Sequence, residues 1–279
     1  LPDANSAGRW ETQDRPTLEK AAANAGLDIK VSNGLGTADQ YVRAARESRT
    51  LDCGVMLLAD VAGAAEKVAS DARSDGLFVV AYDRHFAGAD VIVSFDYAQI
   101  GVDQAQSLLD ALAARGISPA DAVVILSEPD RFDSTTQIAH DAAWKTFRAA
   151  GVTKMSTFAA GDSPADTAVR FGATLSSAGG HVDAVWVSSD PLAVRVQNVL
   201  AQTGSTALIS AQDATVVGLQ NVLRGTQVST VFKKYRESAQ LAITTSLHVL
   251  SGAEFDSDVP RVNEVPLMLA AHTLVTADT

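Results

Sequence analysis

The sequence is poor in cysteine and in basic residues and lacks a long apolar run, and each shortage excludes a class of protein. With Cys53 as its one cysteine among 279 residues, the chain has no intrachain disulfide. Lysine and arginine number 22 against 33 acidic residues, and a net charge of −11 argues against non-specific binding to nucleic acid phosphates. No uninterrupted apolar stretch approaches the roughly 20 residues that cross a bilayer. The 47% of hydrophobic residues nevertheless suffices for a substantial core.

Two further expectations come from local composition. Cys53 opens the apolar run Cys53–Leu58, which predicts a buried thiol rather than a reactive one. The chain opens with Leu1, Pro2 and Asp3 instead of a basic and then apolar leader, so we expect a mature or trimmed product.

Short apolar runs alternate with longer segments of helical periodicity. The predicted strands are Asp28–Ser32, Cys53–Ala59, Leu77–Tyr82, Val91–Phe95, Ala122–Ser127, Lys154–Phe158, Asp183–Ser188, Thr206–Ala211 and Val228–Phe232. The predicted helices are Arg15–Ala25, Ala38–Ser48, Ala62–Asp75, Tyr97–Arg115, Thr136–Ala150, Pro164–Ala178, Pro191–Gln202, Thr215–Arg224 and Tyr235–Leu250. This alternation predicts an α/β fold of parallel sheets with helices on both faces.

Helix-start signals support these boundaries. Thr37 with Gln40 forms a capping box, and Ser163-Pro164 and Asp190-Pro191 each place a cap before a proline. About nine strands make either one wide sheet or two smaller ones. The crossing between two domains is predicted near residues 95–98, and residues 251–279 are predicted to be a return segment rather than a third domain.

Polar side chains collect where the predicted strands end. They are Asp60, Asp83, Arg84, Asp96, Glu128, Asp130, Asp190, Gln212 and Asp213. In open parallel sheets ligands bind beyond the carboxyl ends of the strands. Two domains facing each other would line one cleft with these loops, and such charged groups suit a ligand rich in hydroxyls.

A helix cap is the competing interpretation for several of these residues. For Asp60, Asp96 and Asp190 the sequence leaves cap and ligand contact equally open. For Asp83 with Arg84 it favours ligand contact, because a cation accompanies the carboxylate. Aromatic residues also fall near strand ends, and Trp10 and Phe132 offer flat faces to sugar C–H groups.

Motifs of covalent chemistry are missing from the sequence. It has no Gly-x-Ser-x-Gly elbow, no P-loop and no His-Glu-x-x-His. The five histidines have no metal-ligand spacing, and His85 alone falls near the proposed cleft, as a surface loop residue by default. We therefore predict no enzyme, no catalytic residue, no metal and no cofactor.

Six segments in register resemble a known family across almost the whole chain. They are Ser6–Trp10, Ala81–Arg84, Ser94–Tyr97, Ser210–Ala214, Gly225–Gln227, and Thr230–Lys233 continuing into Arg236–Ala239. In these segments the chain resembles the periplasmic sugar-binding proteins of ABC transporters, in particular the xylose-binding branch.

The resemblance implies a type I periplasmic binding protein: two doubly wound parallel-sheet lobes, a three-segment hinge and a monosaccharide held between the lobes. The implied lobes are residues 1–97 with 234–260, and residues 98–233 with 261–279. The implied ligand contacts are Arg9, Trp10, Asp83, Arg84, Asp133, Asp190, Asp213 and Lys233. Lys233 moves from an ordinary surface lysine to a ligand contact on this ground alone.

The sequence also departs from the family. Paired asparagines of the family are replaced in the stretch Glu128–Asp133, and residues 160–163 lack the family's tryptophan. Xylose is therefore one option beside another pentose, a deoxy sugar or a linear polyol. The family begins with a complete central strand, of which only Leu1 and Pro2 remain here, so we expect further residues upstream.

The predicted function is the extracytoplasmic solute-binding component of a carbohydrate ABC importer, periplasmic or lipid-anchored at the outer face of the cell membrane. Its expected partners are a small sugar or polyol and a membrane permease, with no nucleic acid and a monomeric state. Two alternatives stay open at this point. A LacI-type regulator would carry a helix-turn-helix, and an enzyme would need an acid–base pair with shifted pKa values.

Overall fold

The computed structural model describes residues 1–3, 8–161 and 163–279. Ser6 and Ala7, which open the first segment of the resemblance, lie outside the described residues, as does Asp162. A π-helical turn, Trp10–Asp14, runs directly into the first α-helix. The α-helices are α1 Arg15–Asn24, α2 Ala38–Ser48, α3 Ala65–Ser74, α4 Tyr97–Ala114, α5 Ser134–Ala149, α6 Pro164–Ser177, α7 Asp190–Gln202, α8 Val216–Leu223 and α9 Tyr235–Leu250.

From β1 to α9 the strands alternate with these helices, except that β3 directly follows β2, and after α9 the strands follow one another. They are β1 Val55–Leu58, β2 Phe78–Tyr82, β3 Val91–Phe95, β4 Val123–Ser127, β5 Lys154–Phe158, β6 Ala184–Trp186, β7 Leu208–Ser210, β8 Thr230–Lys233, β9 Arg261–Val262, β10 Val265–Ala270 and β11 His272–Val275. The α/β prediction is confirmed.

The chain divides into two compact units. The first unit comprises residues 1–96, 132–135 and 234–271, and the second comprises residues 97–131, 136–233 and 272–279. The sequence-based lobes placed residues 261–271 in the other unit. They belong to the first because β10 pairs in parallel with β3, with Leu267 opposite Ile92.

The first unit holds a sheet with the strand order β1-β2-β3-β10-β9. Successive side chains of a strand point to opposite faces, so each buried strand serves two cores. Val79 and Ala81 pack with Met56 and helices α2 and α3 on one face. Val80 and Tyr82 pack with residues of α1 and α9 on the other face. Because β1, β2 and β3 pair in parallel, their carboxyl ends lie at the same edge of the sheet.

The second unit holds a sheet with the order β5-β4-β6-β7, all pairs being parallel. Its core packs Ile125 and Val185 against Phe171 of α6 and Val196 of α7. Strand β8 lies beside β7 through a bridge from Ser210 to Ser229 and pairs antiparallel with β11.

Two sequence-based expectations are wrong. Residues 28–32 form no strand, because no strand of the described residues pairs with this stretch, and the Leu1 amino group bonds only to the Ser32 carbonyl at its far end. Cys53 is exposed rather than buried, because β1 begins at Val55 and Cys53 lies in the preceding loop. The return segment adds the strands β9, β10 and β11, which the sequence analysis did not predict.

The capping predictions hold at two of three helices. The Thr37 hydroxyl accepts the Gln40 amide at 3.4 Å, and the Ser163 hydroxyl accepts the Asp166 amide at 3.1 Å. At α7 the cap is Ser189, which accepts the Leu192 amide at 3.4 Å, so Asp190 is the first residue inside the helix and not its cap.

Candidate functional site

Asp83 of the first unit occupies a strained position directly after β2. Its φ of +71° lies in the left-handed region, which few residues other than glycine adopt. Two contacts with β3 hold it there. Its amide donates to the Val93 carbonyl at 2.7 Å, and its carbonyl accepts the Ser94 hydroxyl at 2.6 Å. Strain of this kind persists where the surroundings fix it, and it concentrates at functional sites.

Arg9 is clamped between two carboxylates. Its Nη1 donates to Asp83 Oδ2 at 3.0 Å, while its Nε and Nη2 donate to the two oxygens of Asp14 at 3.0 and 3.2 Å. The guanidinium carbon also lies 4.2 Å from the centre of the Trp10 ring and 3.9 Å from that of Tyr235. Such stacking and bidentate pairing fix the guanidinium plane.

Asp14 accepts hydrogen bonds from both Arg9 and Tyr82 and so holds Arg9 in place. The side chains of Asp14 and Tyr82 are buried, and the Tyr82 hydroxyl donates to Asp14 Oδ1. Burial raises the pKa of Asp14, and the charge of Arg9 opposes that rise. Burial, followed by the charge of Asp14, raises the pKa of Tyr82 well above its ordinary value. The Tyr82 hydroxyl therefore stays protonated and remains a donor to Asp14.

Arg84 is the cation of a second ion pair in the same unit. Its Nη1 donates to the Asp60 carbonyl at 2.7 Å, and its Nη2 lies 3.0 Å from Asp133 Oδ2. Asp133 also accepts the Thr135 hydroxyl at 2.6 Å. Within the described residues, the buried Nε of Arg84 has no hydrogen-bond partner.

His85 carries a second unpartnered nitrogen beside Arg84. Its amide donates to the Ser134 hydroxyl at 2.7 Å, and its buried Nε2 lacks a partner in the part of the chain that the structure describes. Burial lowers the pKa of His85 and outweighs the opposing charge of Asp83. The imidazole is therefore neutral near pH 7. The expectation of an ordinary surface histidine is wrong, because His85 is half-buried.

The second unit carries its own cation–carboxylate pair at the end of β8. Lys233 is buried, and its Nζ lies 2.9 Å from Asp213 Oδ1 and 2.9 Å from Gln212 Oε1. The ammonium is also 5.4 Å from the centre of the Tyr97 ring. Asp213 has a φ of +107°, and its amide donates to the Val231 carbonyl at 2.9 Å.

Asp190 differs from the other predicted contacts. Its Oδ1 accepts Gln227 Nε2 at 2.9 Å and the Thr230 hydroxyl at 2.8 Å. Its Oδ2 accepts the amide and the hydroxyl of Thr215 at 2.8 and 3.0 Å. Burial raises the pKa of Asp190. Four internal donors satisfy this carboxylate, which ties α7 to the start of α8 and to β8.

Asp60 is likewise satisfied locally. Its two oxygens accept the amides of Gly63 and Ala65 at 3.0 and 2.7 Å, so its side chain caps the loop before α3. Its backbone carbonyl, by contrast, holds Arg84. The N-cap position of α3 is Ala64, so Asp60 is not the N-cap itself but holds the turn before the helix through these two amides.

Metal-binding clusters and membrane-spanning helices are both missing from the described residues. Residues 1–3, 8–161 and 163–279 contain no group of three or more His, Cys, Asp or Glu side chains that could hold a metal ion. No helix in these ranges is long and apolar enough to cross a membrane.

The sequence analysis missed Asp14 and Tyr235 as parts of the Arg9 group. Asp14 falls inside the first helical segment, and Tyr235 opens the last one, so neither follows a strand. Asp14 lies five residues from Arg9, outside the three- and four-residue spacings of an α-helical face, so no sequence pattern pointed to it. Tyr235 lies 226 residues from Arg9 by numbering, a distance that no local pattern bridges.

The fold and these clusters define a protein with two α/β units, each built on a mainly parallel sheet. Each unit contains a cation held by a carboxylate and near an aromatic ring. The chain belongs to the periplasmic binding protein domain family, whose model matches residues 1–254. The predicted type I periplasmic binding protein fold is confirmed by similar solved structures. A solute-binding protein of an ABC transporter from Clostridium phytofermentans, with bound β-D-glucose, superposes with a TM-score of 0.83 at 21% identity, covering 99% of this chain and 93% of that one.

Curated relatives are similar over most of the chain. The D-xylose-binding periplasmic protein of Escherichia coli K12 is 25% identical over 262 residues, which cover 90% of this chain and 76% of the relative. The multiple sugar-binding periplasmic receptor ChvE of Rhizobium radiobacter is 24% identical over 269 residues, covering 87% and 74%.

Proposed function

We propose that this protein is the extracytoplasmic solute-binding component of a carbohydrate ABC importer and that it binds a monosaccharide or polyol. The observation that carries the proposal is that each of the two units contains the same kind of cation–carboxylate cluster. In each unit an aspartate with positive φ, placed within three residues after a strand, holds a cation near an aromatic ring. Relatives named for xylose or multiple sugars support the same ligand class.

The chemistry of the clusters suits hydroxyl groups. A sugar hydroxyl donates to a carboxylate and accepts from a cation, so a fixed ion pair can engage both functions of one hydroxyl. Each charge-assisted hydrogen bond contributes about 1.5–3 kcal/mol. The side chains that would make these bonds are already held by neighbours, which lowers the entropy lost on binding.

We assign the ligand contacts to both units. In the first unit they are Asp83, Arg84, Asp133 and Arg9, with Trp10 acting by holding the Arg9 plane. In the second unit they are Asp213 and Lys233. The unpartnered Nε of Arg84 and Nε2 of His85 support this assignment, because a buried polar atom without a partner costs free energy that a ligand hydroxyl would recover. Asp190 is left out, since its oxygens are taken by internal donors.

We further propose that the protein binds its ligand without transforming it. Two carboxyls whose pKa burial raises, Asp14 and Asp190, are each saturated by internal hydrogen bonds. An acid–base catalyst has to reach a reacting atom, and these two face structural partners instead. Incubation with each candidate sugar, followed by mass analysis of the sugar, tests this point. Any new product would contradict it.

The proposed partner is a membrane permease, and the proposed location is outside the cytoplasm. Both follow from the family and from the periplasmic names of the relatives. We propose a monomer as the binding form.

A ligand screen tests the proposed function. Thermal unfolding is followed with D-xylose, D-arabinose, D-glucose, D-galactose, glycerol and myo-inositol, each at 5–10 mM, and positives are titrated by calorimetry. We expect a stabilising sugar or polyol with Kd near the micromolar range, equivalent to about −8 kcal/mol. Binding of none of these compounds, but of an amino acid or a nucleotide instead, would overturn the proposal.

A further inference from the structure

The second unit contains an ion pair between His272 and Asp103 that lies outside the predicted ligand contacts. His272 Nε2 is 3.0 Å from Asp103 Oδ2, and 14% and 27% of the two side chains are exposed. The other carboxylate oxygen of Asp103 accepts Gln99 Nε2 at 2.7 Å. His272 is the first residue of β11 and Asp103 lies in α4, so the pair ties a strand to a helix.

Stability alone is a weak reason for this pair. A partly exposed ion pair contributes little to folding, because water screens its charges and two side chains have to be ordered. His181 and Asp183 form a comparable pair in the same unit at 2.9 Å, but they are two residues apart and join no separate elements. His272 and Asp103 are 169 positions apart, so their bond restrains the placement of β11 against α4.

Strand β11 is the ladder partner of the strand that carries Lys233. The two strands pair antiparallel, with His272 directly opposite Lys233 and Val275 opposite Thr230. Directly opposed residues of an antiparallel pair lie on the same face, with Cβ atoms about 4.5–5.5 Å apart. Lys233 is the last residue of β8, so His272 is its direct neighbour across the ladder. A shift of His272 therefore shifts the backbone from which the Lys233 side chain extends.

Helix α4 carries the aromatic ring near the same ammonium. Tyr97 is the first residue of α4, and its ring centre lies 5.4 Å from Lys233 Nζ. Asp103 follows six residues later in the same helix, a length of about 9 Å of regular hydrogen-bonded backbone. The bond between His272 and Asp103 thus connects the strand that carries the cation to the helix that carries the ring.

We propose that His272 and Asp103 are positioning residues for Lys233. Their bond holds the end of β8 against α4, so that the Lys233 ammonium keeps the orientation in which it donates to a ligand hydroxyl. Neither residue contacts the ligand itself. Hydrogen bonds weaken steeply as their angle departs from the preferred range, so a small displacement of the ammonium reduces binding. This inference rests on the proposed function, because it takes Lys233 as a ligand contact.

Calorimetric titration with the sugar found in the screen tests the proposal. The variants are His272→Ala, Asp103→Ala and His272→Gln, whose side-chain nitrogen can take the place of the imidazole Nε2. The two alanine substitutions are also made in a Lys233→Met background. His181→Ala is the matched control, because it removes the local His–Asp pair of the same unit. Thermal unfolding shows that each variant is folded.

We expect His272→Ala and Asp103→Ala each to weaken sugar binding by about 3- to 10-fold, as coupled neighbours do. His272→Gln and His181→Ala should stay within about 2-fold of the unmodified protein, because one retains the donor and the other restrains no second element. In the Lys233→Met background both alanine substitutions should have no further effect. If His272→Ala does not fold, Asp103→Ala carries the same comparison.

Unchanged affinity in the alanine variants would overturn the proposal. So would an equal loss of affinity in the Lys233→Met background, because the pair would then act on the fold and not through Lys233. A protein that binds a sugar but gives either result overturns this inference alone. An unmodified protein that binds no sugar or polyol in the screen overturns the proposed function and this inference with it.

Discussion

The two cation–carboxylate clusters have similar backbone conformations at their aspartates, but the carboxylate is the more buried partner in one cluster and the cation in the other. Asp83 and Asp213 both follow a strand with positive φ, and each donates its amide to a neighbouring strand. In the first unit the carboxylate is buried, with 4% of the Asp83 side chain exposed against 18% for Arg9. In the second unit the cation is buried, with 7% of Lys233 exposed against 29% for Asp213.

Because of this difference, we expect the two clusters to contribute unequally to the stability of the fold and to ligand binding. A buried carboxylate that loses its charge weakens the ion pairing of Arg9, so the first cluster should serve the fold as well as the ligand. A partly exposed carboxylate contributes little to stability, because water can replace its partner. Asp213 should therefore contribute mainly to ligand binding.

The largest effect is expected for Asp83→Asn. Asparagine tolerates positive φ, so the change removes charge while keeping the backbone. We expect sugar affinity to fall at least about 100-fold and the free energy of unfolding to fall by about 2–3 kcal/mol. Calorimetry and urea unfolding measure the two effects. Asp75→Asn, which changes a more exposed partner of Arg49, is the matched control and should alter neither.

A smaller effect is expected for Lys233→Met, which removes the ammonium and keeps an unbranched side chain one atom shorter. Loss of the ammonium should weaken sugar binding by about 10- to 50-fold. The free energy of unfolding should change by less than about 1 kcal/mol, because Asp213 remains partly solvated. The neighbouring Lys234→Met is the control, since Lys234 is half-exposed with a distant partner at 3.7 Å. Equal affinities of the two variants would remove Lys233 from the site.

Asp213→Gly should separate the two roles most clearly. Glycine adopts φ of +107° without strain, which offsets the cost of leaving the buried Lys233 ammonium without this carboxylate. The free energy of unfolding should therefore change by less than about 1 kcal/mol while affinity falls about 10-fold. Ala214→Gly is the control, because Ala214 also has a positive φ, of +46°, but no carboxylate. It should raise stability and leave affinity unchanged. Unchanged affinity in Asp213→Gly would contradict the comparison.

The smallest effect concerns pH. Because burial lowers the pKa of His85, the folded state favours the neutral imidazole. The stability that His85 contributes is present above its ordinary pKa of about 6.5 and is lost as the pH falls through the lowered value. Compared with the unmodified protein, His85→Asn should lose less stability between pH 7 and pH 5, by under about 1 kcal/mol in urea titrations. Exposed His181→Asn is the control. A parallel loss in both variants would show that His85 does not titrate this way.

Most of the fold was predictable because periodicity and helix caps are local signals. Strand β3 and helices α2 and α9 have the bounds that the sequence predicts. The stretch 28–32 has the composition of a strand but lacks a ladder, since pairing depends on a neighbour outside the stretch. Strand β10 was missed for a related reason, because Pro266 and the surrounding polar residues obscured a segment that β3 holds in place.

The candidate site was predictable only in part. The positions after strands gave Asp83 and Asp213, and the family resemblance added Lys233. Two groups that contact the Lys233 ammonium, Gln212 and Tyr97, come from a neighbouring strand end and from the start of α4. For Asp190 the sequence could not show that Thr215, Gln227 and Thr230 would converge on the carboxylate from 25 to 40 residues away.

Calorimetric titration of one sugar into three proteins tests the central claim most directly. The unmodified protein, Asp83→Asn and Asp213→Asn are titrated with D-xylose and with D-glucose under identical conditions. We predict one bound sugar molecule per unmodified chain, with affinity reduced in both variants, as the proposed assignment of ligand contacts to both clusters requires. Unchanged affinity in either variant, or two bound molecules that each respond to one variant alone, would contradict the account.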